Sequence, residues 1–269
     1  MGNPISRTAY YTLAVRAADV ASPKPIGRDT YAHVFMNDEA KRVWEDFKSF
    51  RAANGSNAAR HVMIDDHVQQ ALDRDPGAPV VIIGAGFDTR AFRLTGGRWF
   101  EFDEPEILTY KESRLPEEKA PNPLRRTAVE FSKGELAGKL SLVPPAPHTH
   151  VIIEGVLMYL TVPQRQELLD LLAARFPHHT VYCDLMRKTF FERAGRDIHV
   201  KITGMGATFT DIGERPEQQF LDAGYLMRSL ESIPLYSVQH GDIGIPAFVV
   251  RWLMPWLRDG YQVGVFTRG

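Results

Sequence analysis

Val80-Val81-Ile82-Ile83-Gly84-Ala85-Gly86-Phe87-Asp88-Thr89-Arg90-Ala91-Phe92 drives four β-branched residues straight into a Gly-Ala-Gly turn. Consecutive β-branched residues point apolar side chains to both sides of a pleated strand, so Val80 to Ile83 is expected to be buried on both faces. The glycines after it allow a sharp turn in which the backbone can approach a ligand closely. Similar short apolar runs recur at Trp99 to Phe102, Val151 to Glu154 and Val181 to Asp184, separated by stretches of helical periodicity. A weaker run, Arg126 to Phe131, alternates through Thr127, Val129 and Phe131. Strands and helices in this alternation predict an α/β fold with a doubly wound, mostly parallel sheet.

Ahead of that core, residues from Ser6 to about Asp75 read as an all-helical prologue, interrupted at Pro23, Pro25 and Gly27 and again at Asn54-Gly55-Ser56-Asn57. Past the fifth strand, Phe190 to Gly213 is Gly-rich, polar and irregular. Pro216 to Ala223 then reads as a helix closed by Gly224, and Tyr225 to Ile233 and Tyr261 to Phe266 as strands able to pair antiparallel at a sheet edge. Between these strands, Trp252 and Trp256 stand four residues apart, a spacing that suits a helix covering the sheet. The expectation is a single domain over residues 1–269, with a helical cap at 1–75, a core at 76–269 and a substrate-covering insertion near 190–213.

Lys and Arg total 32 against 33 Asp and Glu, and this near balance provides no overall field to gather nucleic acid or an anionic membrane. The single cysteine, Cys183, cannot form an intrachain disulfide, and it lies in an apolar strand where it reads as a small core residue. No apolar run approaches the ~20 residues of a membrane span, so a soluble cytoplasmic protein is expected. Met1-Gly2-Asn3-Pro4-Ile5-Ser6 fits a myristoylation pattern and Asn54-Gly55-Ser56 a glycosylation sequon. With no secretory signal at the N-terminus, neither is expected to be used.

In an open doubly wound sheet, ligands bind beyond the carboxyl ends of the strands, which is where Gly84 and Gly86 fall. A dinucleotide fingerprint needs Gly or Ala three residues after Gly86, and this chain has Thr89 there. A turn with no ligand is the plain alternative. Asp103, seventeen positions beyond Gly86, ends the next strand where nucleoside ligands need an acceptor for ribose hydroxyls. It could equally cap the helix that begins at Glu104-Pro105-Glu106.

Gly84-Ala85-Gly86-Phe87-Asp88-Thr89-Arg90, Phe100-Glu101-Phe102-Asp103-Glu104-Pro105-Glu106 and Glu154-Gly155-Val156-Leu157-Met158-Tyr159-Leu160 together resemble the leucine carboxyl methyltransferase family. The resemblance runs from about Ser6 to Asp184 and continues more weakly to the end. It implies a seven-stranded, Rossmann-like class I methyltransferase fold, S-adenosylmethionine as cofactor, S-adenosylhomocysteine as product, and likeness to bacterial members such as tetracenomycin carboxyl methyltransferase. By the same resemblance, Gly84, Ala85 and Gly86 border the methionine part of the cofactor and Asp103 holds its ribose. Arg60 matches the family's arginine for the cofactor carboxylate, although Val62 stands where a second basic residue is usual. Glu130, in place of the usual Asp, matches the residue that accepts from the adenine amino group, and Glu154 lies under the sulfonium end. A buried Glu154 has to be paired, with the cofactor amino group or with Arg60, unless it only caps a helix.

Tyr11, Tyr159 and Arg16 are candidate substrate-side residues, while Tyr10, Tyr31 and Phe35 fit either the core or a roof over the acceptor. His148, His150, His178 and His179 have no acidic or cysteine partner at metal-ligand spacing, so no metal site is expected. The reading that results is methyl transfer to an oxygen, a carboxylate, of a small-molecule acceptor. A carboxylate is already ionised and needs no general base. The alternatives are a hydroxyl acceptor with His33, His61 or His199 as base, and a nicotinamide-dependent oxidoreductase.

Overall fold

A computed structural model of the chain describes residues 4–241 and 244–269, which leaves Met1, Gly2 and Asn3 of the acylation pattern outside the described residues. The N-terminal part is helical throughout: α1 (Pro4–Val20), a 3-10 turn (Ala32–Phe35), α2 (Asp38–Phe47) and α3 (Arg51–Leu72). Asn54 to Asn57 do not break α3. The Asn54 side chain, a competitor for backbone bonds in isolation, is taken up by tertiary partners: its Oδ1 accepts from Tyr11 Oη at 3.0 Å and its Nδ2 donates to the Phe47 carbonyl at 3.0 Å. The sequon asparagine is therefore buried.

The alternating core follows: β1 (Pro79–Ile83), α4 (Arg90–Arg93), β2 (Arg98–Asp103), α5 (Pro105–Arg114), β3 (Leu124–Ala128), α6 (Leu136–Leu140), β4 (Thr149–Ile153), α7 (Val162–Arg175) and β5 (His179–Met186). Next come α8 (Lys188–Phe190), a π turn (Phe191–Gly195) and α9 (Arg196–Gly204), so the segment expected to be irregular is largely helical. The chain ends with α10 (Gln218–Asp222), β6 (Leu226–Ser232), α11 (Ile233–His240), a second π turn (Val249–Leu253), α12 (Pro255–Arg258) and β7 (Tyr261–Arg268).

One seven-stranded sheet has the order β3-β2-β1-β4-β5-β7-β6, parallel except that β7 runs against both β5 and β6. In the register of this sheet, Val81 lies between Phe100 and Val151. The apolar residues of β1 divide between two layers. Val80 and Ile82 join Met63, Leu72 and Trp99 on one face, and Val81 and Ile83 join Phe102, Val151, Leu168 and Leu172 on the other. Each such side chain removed from water contributes about 1.5–3 kcal/mol, which is why the run after Gly77 folds as a central strand. β3 begins and ends earlier than expected from sequence, because Val129 and Phe131 continue its alternation beyond the last paired residue, Ala128. Cys183 is fully buried in β5. Trp256 packs on the core, but Trp252 does not cover the sheet; it points into solvent. No helix among the described residues is long and apolar enough to cross a membrane.

Candidate functional site

β1 delivers the chain to Gly84 and Gly86, whose φ angles are +70° and +47°, a region L side chains rarely occupy. Gly84 N and Ala85 N both donate to the Phe102 carbonyl, at 2.9 and 3.1 Å, and this straps the turn to the end of β2. A Cβ on Gly84 would lie 2.6 Å from Val156 Cγ2, so the position needs glycine for space as well as for conformation. Asp103, at the end of β2, closes the other side. Its Oδ2 accepts from Gly86 N and its Oδ1 from Glu104 N at 2.6 Å. Burial raises this carboxyl from 3.8 to about 6, against the pull of those two N–H groups. The N-cap of α5 is Glu104, so Asp103 braces the turn from just outside the helix, and this role coexists with a position on the cavity.

That cavity, about 610 Å³, opens at the carboxyl ends of β1, β2, β4 and β5. Gly84, Ala85, Gly86, Asp103 and Phe131 form one end; Tyr11, Ala52, Tyr159, Phe190, Ile198 and Phe209 line the other. Arg60 and Glu154 also line it. Helices α1 and α3 and the segment from α8 through α9 therefore supply most of the second end.

Beneath it lies a buried ionic network. Arg60 Nε donates to Glu154 Oε1 at 3.0 Å, and its Nη1 donates to Asp184 Oδ2 at 3.1 Å and to Tyr261 Oη at 2.7 Å. Tyr261 Oη in turn donates to Asp184 Oδ2 at 2.7 Å, while Asp184 Oδ1 accepts from Gly155 N at 2.7 Å. On the other side of Glu154, Arg90 Nη2 donates to Oε2 at 2.7 Å, and the same guanidinium holds Asp65 and Asp88. Arg93 joins Asp65 to Asp29, which also holds Arg16. Burial opposes the charge on Glu154, but His61, Arg90 and Arg60 outweigh it and keep the carboxyl well below its usual range.

His61, Asp88 and Glu154 converge closely enough to hold a metal ion, but the Arg90 guanidinium pairs with Asp88 and Glu154 and donates to the His61 carbonyl at 3.0 Å, so the place of a cation is taken by the chain itself. His61 is held down from its ordinary value by burial and by Arg90. Its neighbours fit the neutral Nδ1–H tautomer, with Nδ1 donating to Glu154 Oε2 at 3.1 Å and Nε2 accepting from Arg93 Nη2 at 2.8 Å.

Of the residues picked out from sequence, Arg60, Gly84, Ala85, Gly86, Asp103, Glu154, Tyr11, Tyr159 and Arg16 all line the one cavity. Glu130 does not. Its carboxylate pairs with Lys133 at 2.7 Å in solvent, while its neighbours Phe131 and Ser132 reach the cavity wall. Tyr10 and Phe35 pack on Phe87, and Tyr31 on Phe92, as core residues. Burial pushes the Tyr159 hydroxyl up to about 12. None of His33, His61 and His199 lines the cavity: His33 is exposed, His61 is locked in the network, and His199 Nε2 accepts from Phe209 N at 3.1 Å. His148, His150 and His179 bond Thr180, Tyr182 and Tyr225 near the opposite end of the sheet. Sequence reasoning missed Asp65, Arg90, Asp184 and Tyr261. Asp184 closes the apolar run from Val181 as Asp103 closes that from Trp99, and that parallel was the available signal.

A parallel sheet of this order, with an antiparallel seventh strand and a cavity over the first glycine turn, is the class I methyltransferase fold. Two solved structures share it at TM-score 0.63: a methyltransferase, so named provisionally, from Thermobifida fusca (16% identity, 97% of this chain and 94% of that one) and a DUF574 family protein from Streptomyces avermitilis (12%, 95% and 97%). Residues 9–173 match the leucine carboxyl methyltransferase family, and the chain belongs to it. Among its relatives is a protein of Frankia alni, provisionally named an S-adenosyl-L-methionine-dependent methyltransferase, 31% identical over 188 residues, or 62% of this chain and 63% of that one. A Mycobacterium avium protein of the same name is 28% identical over 190 residues, 63% and 60%. The chain thus spans less than two thirds of the length of these relatives.

Proposed function

We propose that the protein transfers the methyl group of S-adenosylmethionine to a carboxylate oxygen of a small, largely apolar acceptor, leaving S-adenosylhomocysteine. One observation carries this reading: the glycine turn with its acidic neighbour Asp103 and the buried Glu154–Arg60 pair face the same cavity, whose described wall contains no histidine. Four arginines in the network, Arg16, Arg60, Arg90 and Arg93, meet five carboxylates, Asp29, Asp65, Asp88, Glu154 and Asp184, so with His61 neutral an excess negative charge lies under the cavity. That excess suits a cofactor bearing an ammonium and a sulfonium. Asp103 provides the ribose acceptor, and the positive-φ glycines leave room for the thioether chain.

When bound, the cofactor supplies an electrophilic methyl group whose carbon–sulfur electron pair returns to sulfur. What this chain contributes is placement. Arg60 Nη2 makes a single long contact, 3.5 Å to Asn57 Oδ1, and so keeps donors for a carboxylate. Glu154, held ionised, offers an acceptor to the cofactor ammonium. Tyr11, Tyr159, Phe190 and Phe209 exclude water around the acceptor, and a desolvated carboxylate aligned with the methyl carbon attacks without losing a proton first.

Methyl-labelled cofactor offered with matched apolar carboxylic acids, phenols and alcohols tests the proposal. The expected product is an alkali-labile ester, formed in single turnover at a rate flat from about pH 6 to 9. Label in an alkali-stable ether, with a rate limb near the imidazole value of about 6.5 that one His→Ala change abolishes, overturns it.

A further inference from the structure

The segment from Gly244 to Arg258 has two different sides. Leu257 lines the cavity together with Phe190, Ala194 and Ile198 of the neighbouring helical segment. The other side carries Phe248, Trp252 and Leu253, at 61%, 73% and 70% exposure, with Ile245 beside them. Phe248 and Trp252 are the only exposed aromatic residues among the described ones, and they stand one helical turn apart on either side of Arg251. Scattered apolar residues on a surface need no explanation, but a cluster of this kind marks a surface that meets something.

The charges around the cluster decide what. Residues 244–258 contain Arg251 and Arg258 and no acid. Arg258 is matched by Asp259, whereas no ion pair of Arg251 is found among the described residues. Arg193 lies with its guanidinium 5.3 Å over the ring of Trp256, and its segment adds exposed Lys188, Arg196 and Lys201 against Glu192 and Asp197. Six basic residues, Lys188, Arg193, Arg196, Lys201, Arg251 and Arg258, outnumber three acids, Glu192, Asp197 and Asp259, so a two-fold contact between copies would bring together two faces of the same net charge. An anionic surface accepts both the cations and the aromatic side chains, which favour the boundary between lipid headgroups and acyl chains.

We infer that Phe248, Trp252 and Leu253, flanked by Arg251 and Arg193, seat the protein on an anionic phospholipid bilayer, with the cavity wall formed by Phe190, Ala194, Ile198 and Leu257 next to the lipid. The near-neutral whole chain does not oppose this, because the attraction is local and fades within about 10 Å at ordinary salt. The wall between lipid and cavity is helical and apolar, which fits an acceptor that partitions into the bilayer; this last point alone rests on the proposed methyl transfer.

Sedimentation of the full chain with vesicles of phosphatidylglycerol and phosphatidylcholine, against phosphatidylcholine alone, tests the inference without reference to activity. Binding is expected to the anionic vesicles, to weaken as salt rises, and to fall about tenfold in the Phe248→Ser/Trp252→Ser double variant. Arg251→Glu should remove the preference for anionic lipid while leaving the melting temperature unchanged. All these side chains are exposed, so circular dichroism of each variant should match the parent. No sedimentation with either vesicle, or undiminished binding by the double variant, overturns the inference. So does light scattering that finds a dimer dissociated by the double substitution.

Discussion

If Asp103 holds the cofactor ribose as proposed, cofactor affinity should fall as pH drops below about 6. Its carboxyl is raised from 3.8 to about 6 by burial, only partly offset by the Gly86 and Glu104 N–H groups. The difference is about 3 kcal/mol in favour of the neutral form. Because the folded state holds this proton more tightly than the unfolded chain, Asp103 loses stability for the fold as pH climbs from 3.8 to about 6, and the penalty is constant above that. Two ribose hydroxyls donating to the carboxylate reverse the balance by favouring the charged form. Binding S-adenosylhomocysteine then expels the proton, so the affinity should be level above about pH 7 and about tenfold weaker at pH 5. Glu154 does not titrate in this window, since His61, Arg90 and Arg60 keep it ionised well below it despite its burial. Calorimetry from pH 5 to 8 measures the slope, and Asp103→Asn, which cannot titrate, should bind more weakly at pH 7 and show none of it. An affinity constant across the range, or the same slope in the variant, refutes the assignment of Asp103 to the ribose.

Arg60→Lys should weaken S-adenosylhomocysteine by about 1–3 kcal/mol in calorimetry at pH 7.5, because one ammonium cannot serve Glu154, Asp184 and a ligand carboxylate from a planar fork; equal affinity removes Arg60 from the site. Tyr261→Phe deletes the hydroxyl between Arg60 and Asp184 and should cost about 1–3 kcal/mol in denaturant unfolding, without changing the slope of the transition. Gly84→Ala places a Cβ 2.6 Å from Val156 Cγ2 at a φ of +70°. Its melting temperature should drop, and Val156→Ala in the same chain should restore only the part due to contact, since the backbone strain of about 1–2 kcal/mol stays.

How much of this was readable in the chain depended on whether a residue's neighbours are local. β1, β2, β4 and β5 stand out because both their faces are buried, so the apolar run is continuous. β3 lies next to α5 at one sheet edge with a partly exposed pattern, and its alternation gave no end point. Asn54 to Asn57 looked like a break because local propensity knows nothing of Tyr11 and Phe47, which hold Asn54 inside the helix. The glycine turn, Asp103 and Glu154 could be expected at the cavity because each lies at the end of a strand. Arg90 and Asp65 read as ordinary charged residues, and only the fold shows that they pair at 2.6 Å beneath the cavity. Glu130 illustrates the reverse: a position matched by resemblance whose side chain, in this chain, turns to Lys133.

The proposal that Gly84, Gly86 and Asp103 bind S-adenosylmethionine carries everything else, and a thermal melt over a concentration series of S-adenosylhomocysteine, NAD and NADP tests it most directly. A ligand that binds the native state alone stabilises it by about 2.7 kcal/mol at one hundred times its dissociation constant. For a chain of this size that corresponds to a rise of roughly 5–10 °C. S-adenosylhomocysteine should give that dose-dependent shift in protein freed of ligand from its host, and the dinucleotides none, since Thr89 stands where a pyrophosphate turn needs Gly or Ala. A shift with NAD and none with S-adenosylhomocysteine would contradict the account.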